Sequence, residues 1–443
     1  MKTAAKLFTN LTNKYMPDPL VIAIGLTAFT MLLAMVIRGN SFLEVTTQWG
    51  DGFWDLLAFS MQMTVILVAG YILAKTPLVD RGLTAIAHRV SSPRAAIIVA
   101  TLVGGIGSWL NWGFGLVLGG LIAQKLALNV KGLHYPLAIA AGYSGFALYG
   151  IGLSGSVPLL IATPGHFLEE QMDLIDLGRT IFDPVILGMV VVLLIGLPLF
   201  NAALHPKDPA DVKEIDPTTV APAPEKLQAD KSGLTVGERL NASPVFSIGI
   251  GALALIYLVQ HFARGGGLDL NTVNFALLFL GILFLTRPIY FLDTLNDGIR
   301  LAAGIVVQYP FYAGIMGILM GSGLVVSFAS WIGDVSSAET LPFLSFLSGG
   351  VINLLAPSGG GQWAVQGPVM IEAATQLDAD YAKTALGVQI GDQWTNMVQP
   401  FWILPVLAIS KLKLGEVMGY LVLILVFIGI VFGAGVLLWG FMG

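Results

Sequence analysis

Residues 353–368 read NLLAPSGGGQWAVQGP, a glycine- and proline-rich polar segment that follows the apolar run FLSFLSGGVI and has Glu372 as its nearest charge. Such a segment breaks a helix in the middle of hydrophobic sequence. In a soluble protein it would be an ordinary surface loop. In a bilayer, irregular backbone is tolerated only where it faces protein or a watery cavity. The surrounding composition therefore decides how it is read.

The 443 residues are 56% hydrophobic and 11% charged, against about 25% charged in soluble domains. Mean hydropathy is +0.81. Runs such as PVILGMVVVLLIGLPLF (184–200) and VMGYLVLILVFIGIVFGAGVLLWG (417–440) reach bilayer-crossing length. With only 22 Lys plus Arg and 27 Asp plus Glu, the chain cannot cover a soluble surface of its size. The expected fold is an all-α polytopic membrane protein with roughly ten to twelve crossings plus re-entrant pieces. Absence of cysteine excludes disulfides and thiolate metal sites. No basic run supports the net charge of -5, so nucleic acid is not an expected partner. The N-terminal segment reads as an amphipathic cytoplasmic lead-in, not a cleaved signal. Lys75, Arg81, Arg89 and Arg94 then fall on the same side after two spans.

The pattern divides the chain into a first transmembrane repeat (1–200), a polar linker (201–243) and a second transmembrane repeat (244–443). The linker carries 12 charged residues and the stretch PTTVAPAPEK, and is expected to be solvent-exposed and partly disordered. Its side of the membrane is left open. The halves echo one another. Runs broken by SWLNWGFG (108–115) and YGIGLSGSVP (149–158) precede the linker; the opening stretch and TALGVQIGDQWTNMVQPFWILPVLAI (384–409) follow it. Paired interrupted segments point to a secondary transporter with its site at the repeat interface, and to inverted repeats with interrupted helices and re-entrant hairpins.

A half-helix ending inside the membrane presents unpaired N–H groups and the positive end of its dipole. Ser358, Gly359, Gly360 and Gly361 are candidates to supply such amides to an anion. Asn353, Gln362 and Gln366 are candidate side-chain ligands, as is the first-half cluster Asn111, Ser154, Ser156 and Thr163; Asn396 and Gln399, on the stretch around Asp392, are further candidates. Gln362 and Gln366, four apart, share a helical face. Glycine-mediated helix packing is the bland alternative for the same residues. Asp392 lies in apolar sequence and is the candidate ion-coupling residue. It either carries a proton or, with Asn396 and backbone carbonyls, helps hold a sodium ion; substrate orientation and a plain loop-edge position stay open. Trp109, Trp112, Trp363 and Trp394 flank the breaks and are candidates to line a small cavity. No His/Asp/Glu grouping has metal spacing, and no catalytic set is readable, so an enzyme is not expected and no cofactor beyond a coupling Na⁺ or H⁺.

These residues also carry a resemblance. WGDGFWDLLAFSMQM (49–63), NWGFGLVLG (111–119), SGSVPLLIATPG (154–165), NTVNF (271–275), QYPFYAGI (308–315), APSGGGQWAVQGP (356–368) and GDQWTNMVQPFW (391–402) resemble the bacterial short-chain fatty acid transporters of the acetoacetate and butyrate uptake type. The likeness runs over nearly the whole chain. More distantly it is similar to the ion-transporter superfamily with its inverted repeats and hairpins. The resemblance implies uptake of a short-chain carboxylate across the bacterial inner membrane by a multi-pass protein in the lipid bilayer. A transporter of another small solute and a passive anion channel are the competing readings. Oligomeric state is left open.

Overall fold

The structure, a computed structural model, describes residues 19–219, 235–354 and 358–442. The amphipathic lead-in expected at the N-terminus, the middle of the linker (220–234) and residues 355–357 of the glycine-rich stretch lie outside the described residues. The chain is an all-α polytopic membrane protein. Among the described residues, eight helices are long and apolar enough to cross a bilayer. This is fewer than the ten to twelve runs read from the sequence. Other apolar stretches form helices shorter than a full span, at 270–285, 324–335 and 341–353.

The first half contains α1 (Pro19–Arg38), α2 (Phe42–Gly52), α3 (Leu57–Ala74), α4 (Pro77–His88), α5 (Pro93–Leu110), α6 (Trp112–Asn129), α7 (Tyr135–Ser144), α8 (Ser156–Ile161) and α9 (Pro184–Ala203). The second contains α10 (Pro244–Ala263), α11 (Leu270–Leu285), α12 (Pro288–Ile299), α13 (Ala303–Ser322), α14 (Leu324–Val335), α15 (Leu341–Asn353), α16 (Gly359–Leu377), α17 (Tyr381–Thr395), α18 (Pro400–Ser410) and α19 (Leu414–Phe441). Many begin with the same local device. Ser92, Asp183 and Ser243 each accept a hydrogen bond from a first-turn amide and are each followed by proline. The cap satisfies an orphan donor, and proline has no N–H to leave unpaired.

Burial orders the helices into a centre and a rim. The broken segment Tyr135–Ile161 is 94% buried, whereas Pro244–Ala263 is 17% buried. The exposed Val, Leu and Ile side chains of α10 are those of a lipid-facing helix. Two glycine contacts bring the central helices together. A Cβ on Gly104 or Gly119 would strike the carbonyl of Gly142, so α5, α6 and α7 meet at bare backbone. A Cβ on Gly391 would strike the carbonyl of Phe346, and one on Gly349 would lie 2.6 Å from that of Val388. These contacts set α15 against α17. Lipid tails are as apolar as leucine, so close van der Waals approach of this kind is what holds membrane helices together.

The described start of the linker is not loose. Tyr135 N–H donates to the Lys213 carbonyl at 2.8 Å, and Gly132 N–H donates to Glu214. Lys213 pairs with Glu416 at the start of α19. His134 Nδ1 accepts from Lys213 N–H at 3.0 Å, so its proton sits on Nε2, 3.0 Å from the Tyr420 hydroxyl. His205 Nε2 accepts the His134 N–H at 3.2 Å. The expected exposed linker is thus clasped to the helix ends over 205–214.

Burial pushes the His134 imidazole from 6.5 down to about 4, with His205 and Lys213 adding to the effect. The folded chain then takes up this proton later than the unfolded chain. The contribution is fully present above about pH 6.5 and is lost as pH falls toward 4. Hydrogen exchange at Tyr135 and Lys213, corrected for its intrinsic pH dependence, should report faster opening at pH 5 than at pH 7. Equal protection at both would contradict the assignment.

Candidate functional site

Two interrupted helices cross at the buried centre. The first runs through α7, a 3₁₀ segment at Gly145–Ile151, a break at 152–155 and α8. The second runs through α17, a 3₁₀ segment at Asn396–Val398 and α18. The end of α15 and the beginning of α16 meet them there.

Asp392 occupies this crossing and is 1% exposed. Its Oδ2 accepts a hydrogen bond from the Tyr149 hydroxyl. Gln389 Nε2 approaches the same oxygen at 3.4 Å and Asn396 Nδ2 at 3.5 Å. Gln389 also accepts the Val157 N–H at 3.0 Å, so one side chain joins α8 to α17. The Tyr143 hydroxyl donates to the Asn396 carbonyl at 2.6 Å. A buried carboxylate is costly unless paired or protonated, and among the described residues every close partner is a neutral donor.

Asn353 closes the second break. Its Nδ2 faces three acceptors: the Asp392 carbonyl at 2.8 Å, Thr395 Oγ1 at 2.9 Å and Asn396 Oδ1 at 2.7 Å. Gln399 Nε2 donates to the Asn353 and Leu354 carbonyls at 2.7 and 2.9 Å. Asp392 Oδ1, Asn353 Oδ1 and Gln399 Oε1 are buried without a protein hydrogen-bond partner. They are the oxygen donors with spare capacity for a small cation or a water. No group of three or more His, Cys, Asp or Glu has metal-site proximity among the described residues.

The glycine-rich stretch reaches this carboxylate. Ser358 caps α16, its Oγ accepting from Gly361 N–H at 3.4 Å, and lies 3.3 Å from the Tyr309 hydroxyl. A Cβ on Gly359 would sit 3.0 Å from the Tyr149 hydroxyl, 3.2 Å from Asp392 Oδ2 and 3.4 Å from Ser156 Oγ. Gly359 thus lets the helix N-terminus come against both breaks at once. Gly360 and Gly361 back onto Phe59, Tyr309 and Tyr312 instead.

Of the residues singled out in the sequence, Ser156, Ser358, Gly359, Asp392, Asn353 and Asn396 are brought together around the crossing. Asn111 is engaged elsewhere: it caps α6 through Phe114 N–H at 2.8 Å and donates to the Ile66 carbonyl at 3.2 Å. Ser154 accepts from Trp112 N–H at 2.7 Å, bracing the first break. Thr163 accepts from Leu270 N–H at 3.0 Å. Gln362 and Gln366 do share a face, as their spacing requires, and bond each other at 3.0 Å. Their amides also donate to the Gly349 carbonyl and Ser348 Oγ, joining α15 to α16. Trp394 donates to the Leu425 carbonyl and packs on Phe346, turned toward α19. Tyr149, Gln389 and Tyr309 are the site residues that the sequence reading missed. Tyr149 stands inside YGIGLSGSVP, and Gln389 one helical turn before Asp392; those positions were the available signal.

These features define a polytopic helical membrane protein with a polar, carboxylate-bearing crossing of broken helices. Comparison with known proteins gives its family. The family model described as "Short chain fatty acid transporter" matches residues 1–439. A "Putative short-chain fatty acid transporter" of Escherichia coli (strain K12) is 38% identical over 436 residues, covering 98% of this chain and 99% of that protein. Another of that description, from Haemophilus influenzae, is 37% identical over 442 residues, covering 97% and 98%. The chain belongs to the short-chain fatty acid transporter family, whose members are membrane transporters. Its fold is similar to the crystal structure of the Alcanivorax borkumensis YdaH transporter, with a TM-score of 0.65, 15% identity and coverage of 96% of this chain and 98% of that one.

Gly360 supplies a direct test of the tip. A Cβ there would lie 2.6 Å from Phe59 Cζ and 2.7 Å from the Tyr309 hydroxyl. Overpacking of this kind costs about 1–3 kcal/mol. Gly360→Val should reduce transport by about tenfold or more while membrane insertion persists. Normal uptake by an inserted Gly360→Val protein would contradict a part in transport for this start of α16.

Proposed function

We propose that the protein carries short-chain monocarboxylates across the bacterial inner membrane by secondary active transport coupled to a proton or sodium ion. One observation carries the reading: the N-terminus of α16 lies against the buried Asp392, between two broken helices. A helix N-terminus bears the equivalent of about half a positive charge and receives carboxylates without an arginine. A substrate carboxylate at Gly359 would come close to the Asp392 carboxylate. Two unit charges about 5 Å apart at an effective dielectric of about 20 repel by about 3 kcal/mol. The substrate anion is therefore best accommodated when Asp392 is neutralised, by a proton or by a cation held with the spare oxygens of Asn353 and Gln399. Ion and substrate binding are then obligatorily linked.

In this reading Ser156, Ser358 and the amides of Gly359 and Gly360 receive the anionic end, while the Gly361 amide is taken by the Ser358 cap. Phe59, Tyr309 and Tyr312 wall the apolar tail. Asn353 and Asn396 hold the second break, while Asn111, Gln362 and Gln366 fix the segments that carry the site. The order of elements supports a two-repeat architecture around it. The series α1, α2, α3, α4, paired α5–α6, broken α7–α8 and α9 is matched by α11, α12, α13, α14, paired α15–α16, broken α17–α18 and α19. The extra helix α10 between the two series would turn the second over in the membrane. The paired segments α5–α6 and α15–α16 would then be re-entrant hairpins entering from opposite faces. The chain would divide at the 201–243 linker, on the face bearing Arg81 and Arg89.

The test is uptake of labelled butyrate into proteoliposomes with a proton gradient and a sodium gradient imposed separately. Accumulation above equilibrium should follow one of the two. No uptake under either, in sealed and correctly reconstituted vesicles, would overturn the monocarboxylate reading.

A further inference from the structure

A cavity of about 410 Å³ lies between α1, α14, α15 and α16, and Asp392 is not part of its lining. Its size falls among pockets that hold small organic ligands, about 300–1,000 Å³. Leu26, Phe29 and Leu33 of α1 line one side, and Phe328, Trp331 and Val335 of α14 another. The inner wall is formed by α15 and α16 where Ser348, Gln362 and Gln366 hydrogen-bond across the pair. Phe29, Trp331 and Val335 are more than half exposed, so the mouth opens toward the hydrocarbon that surrounds α1.

At the far end of α1 stands Arg38, an exposed residue. Its Nε donates to the Ser322 carbonyl at 3.3 Å and its Nη1 to Ser327 Oγ at 3.2 Å. This fixes the guanidinium at the turn between α13 and α14, beside the start of the helix that lines the cavity. The structure records no carboxylate paired with it among the described residues. Along α1, Leu26 to Arg38 spans about 18 Å, close to one leaflet's share of a hydrocarbon core about 30 Å thick. A fixed cation at the helix end and an apolar slot descending from it match an anionic head with an acyl tail.

We propose that this cavity seats one acyl chain of an anionic phospholipid, whose headgroup phosphate, uncompensated by a choline or amine cation of its own, is held by Arg38. The occupant presses on the outer side of α16, the helix whose N-terminus meets Asp392. It excludes water from the hydrogen bonds that tie α16 to α15.

The test is quenching of Trp331 fluorescence in phosphatidylcholine vesicles doped with brominated-chain lipid, taken as the difference between wild type and Trp331→Phe. Brominated phosphatidylglycerol should reach half-quenching at roughly fivefold lower mole fraction than brominated phosphatidylcholine, the preference expected of one arginine near the membrane surface. Arg38→Lys should keep the preference, and Arg38→Gln should lose it. Equal mole fractions for the two lipids in wild type would mean only ordinary lipid contact, and would overturn the proposal. So would an unchanged preference in Arg38→Gln, or quenching by a brominated free fatty acid where phosphatidylglycerol gives none. Should Arg38→Gln fail to insert, Val365→Phe fills the cavity wall and should raise the phosphatidylglycerol requirement; an unchanged requirement there would overturn it too.

Discussion

The structure depends on keeping one carboxylate, Asp392, at the crossing of two broken helices without a fixed positive partner. Among the described residues no arginine or lysine answers it; Tyr149, Gln389 and Asn396 do. Neutral donors can hold a carboxyl group in position whether or not it is charged. A permanent salt bridge would tie the group to one charge state. Glycine at 359 then lets a helix N-terminus approach the same oxygen. The positive end of that helix and the buried carboxylate thereby face one another across a single glycine.

The bare-backbone contacts elsewhere serve this arrangement. Gly142 against Gly104 and Gly119, and Gly391 against Phe346, bring the broken helices close to their neighbours. Close neighbours supply the polar groups that interrupted helices need inside a membrane. Ser154 reaches Trp112 N–H across the first break, and Gln399 reaches the Asn353 and Leu354 carbonyls across the second. The same close packing that brings the broken helices together makes their breaks tolerable in the membrane.

Much of this was legible in the sequence, for identifiable reasons. Hydrophobic runs of bilayer length show themselves through composition, and a lone aspartate in apolar sequence stands out by its cost. Ser358–Gly361 read as a helix-starting tip because capping and glycine chemistry are local. Gln362 and Gln366 were placed on one face by their spacing, but spacing does not say what that face meets; it meets α15 and the cavity beside α1. Asn111 looked like a ligand because an asparagine among glycines is conspicuous, and it proved to cap α6. Tyr149 was hidden because its partner lies 243 residues further along the chain, and a tyrosine in a membrane span reads as packing or as an interface residue. The slot between α1 and α14 depends on helices distant in sequence and leaves no local trace.

In the proposed mechanism Asp392 links ion binding to substrate binding. The most direct measurement compares two modes of labelled butyrate transport by Asp392→Asn in proteoliposomes. Exchange of internal for external butyrate at equal concentrations needs no net ion movement, and should persist. Accumulation against a gradient, driven by the coupling ion, should fall to the level of protein-free vesicles. Gradient-driven accumulation at the wild-type level in that variant would contradict the claim and move the coupling site elsewhere in the protein.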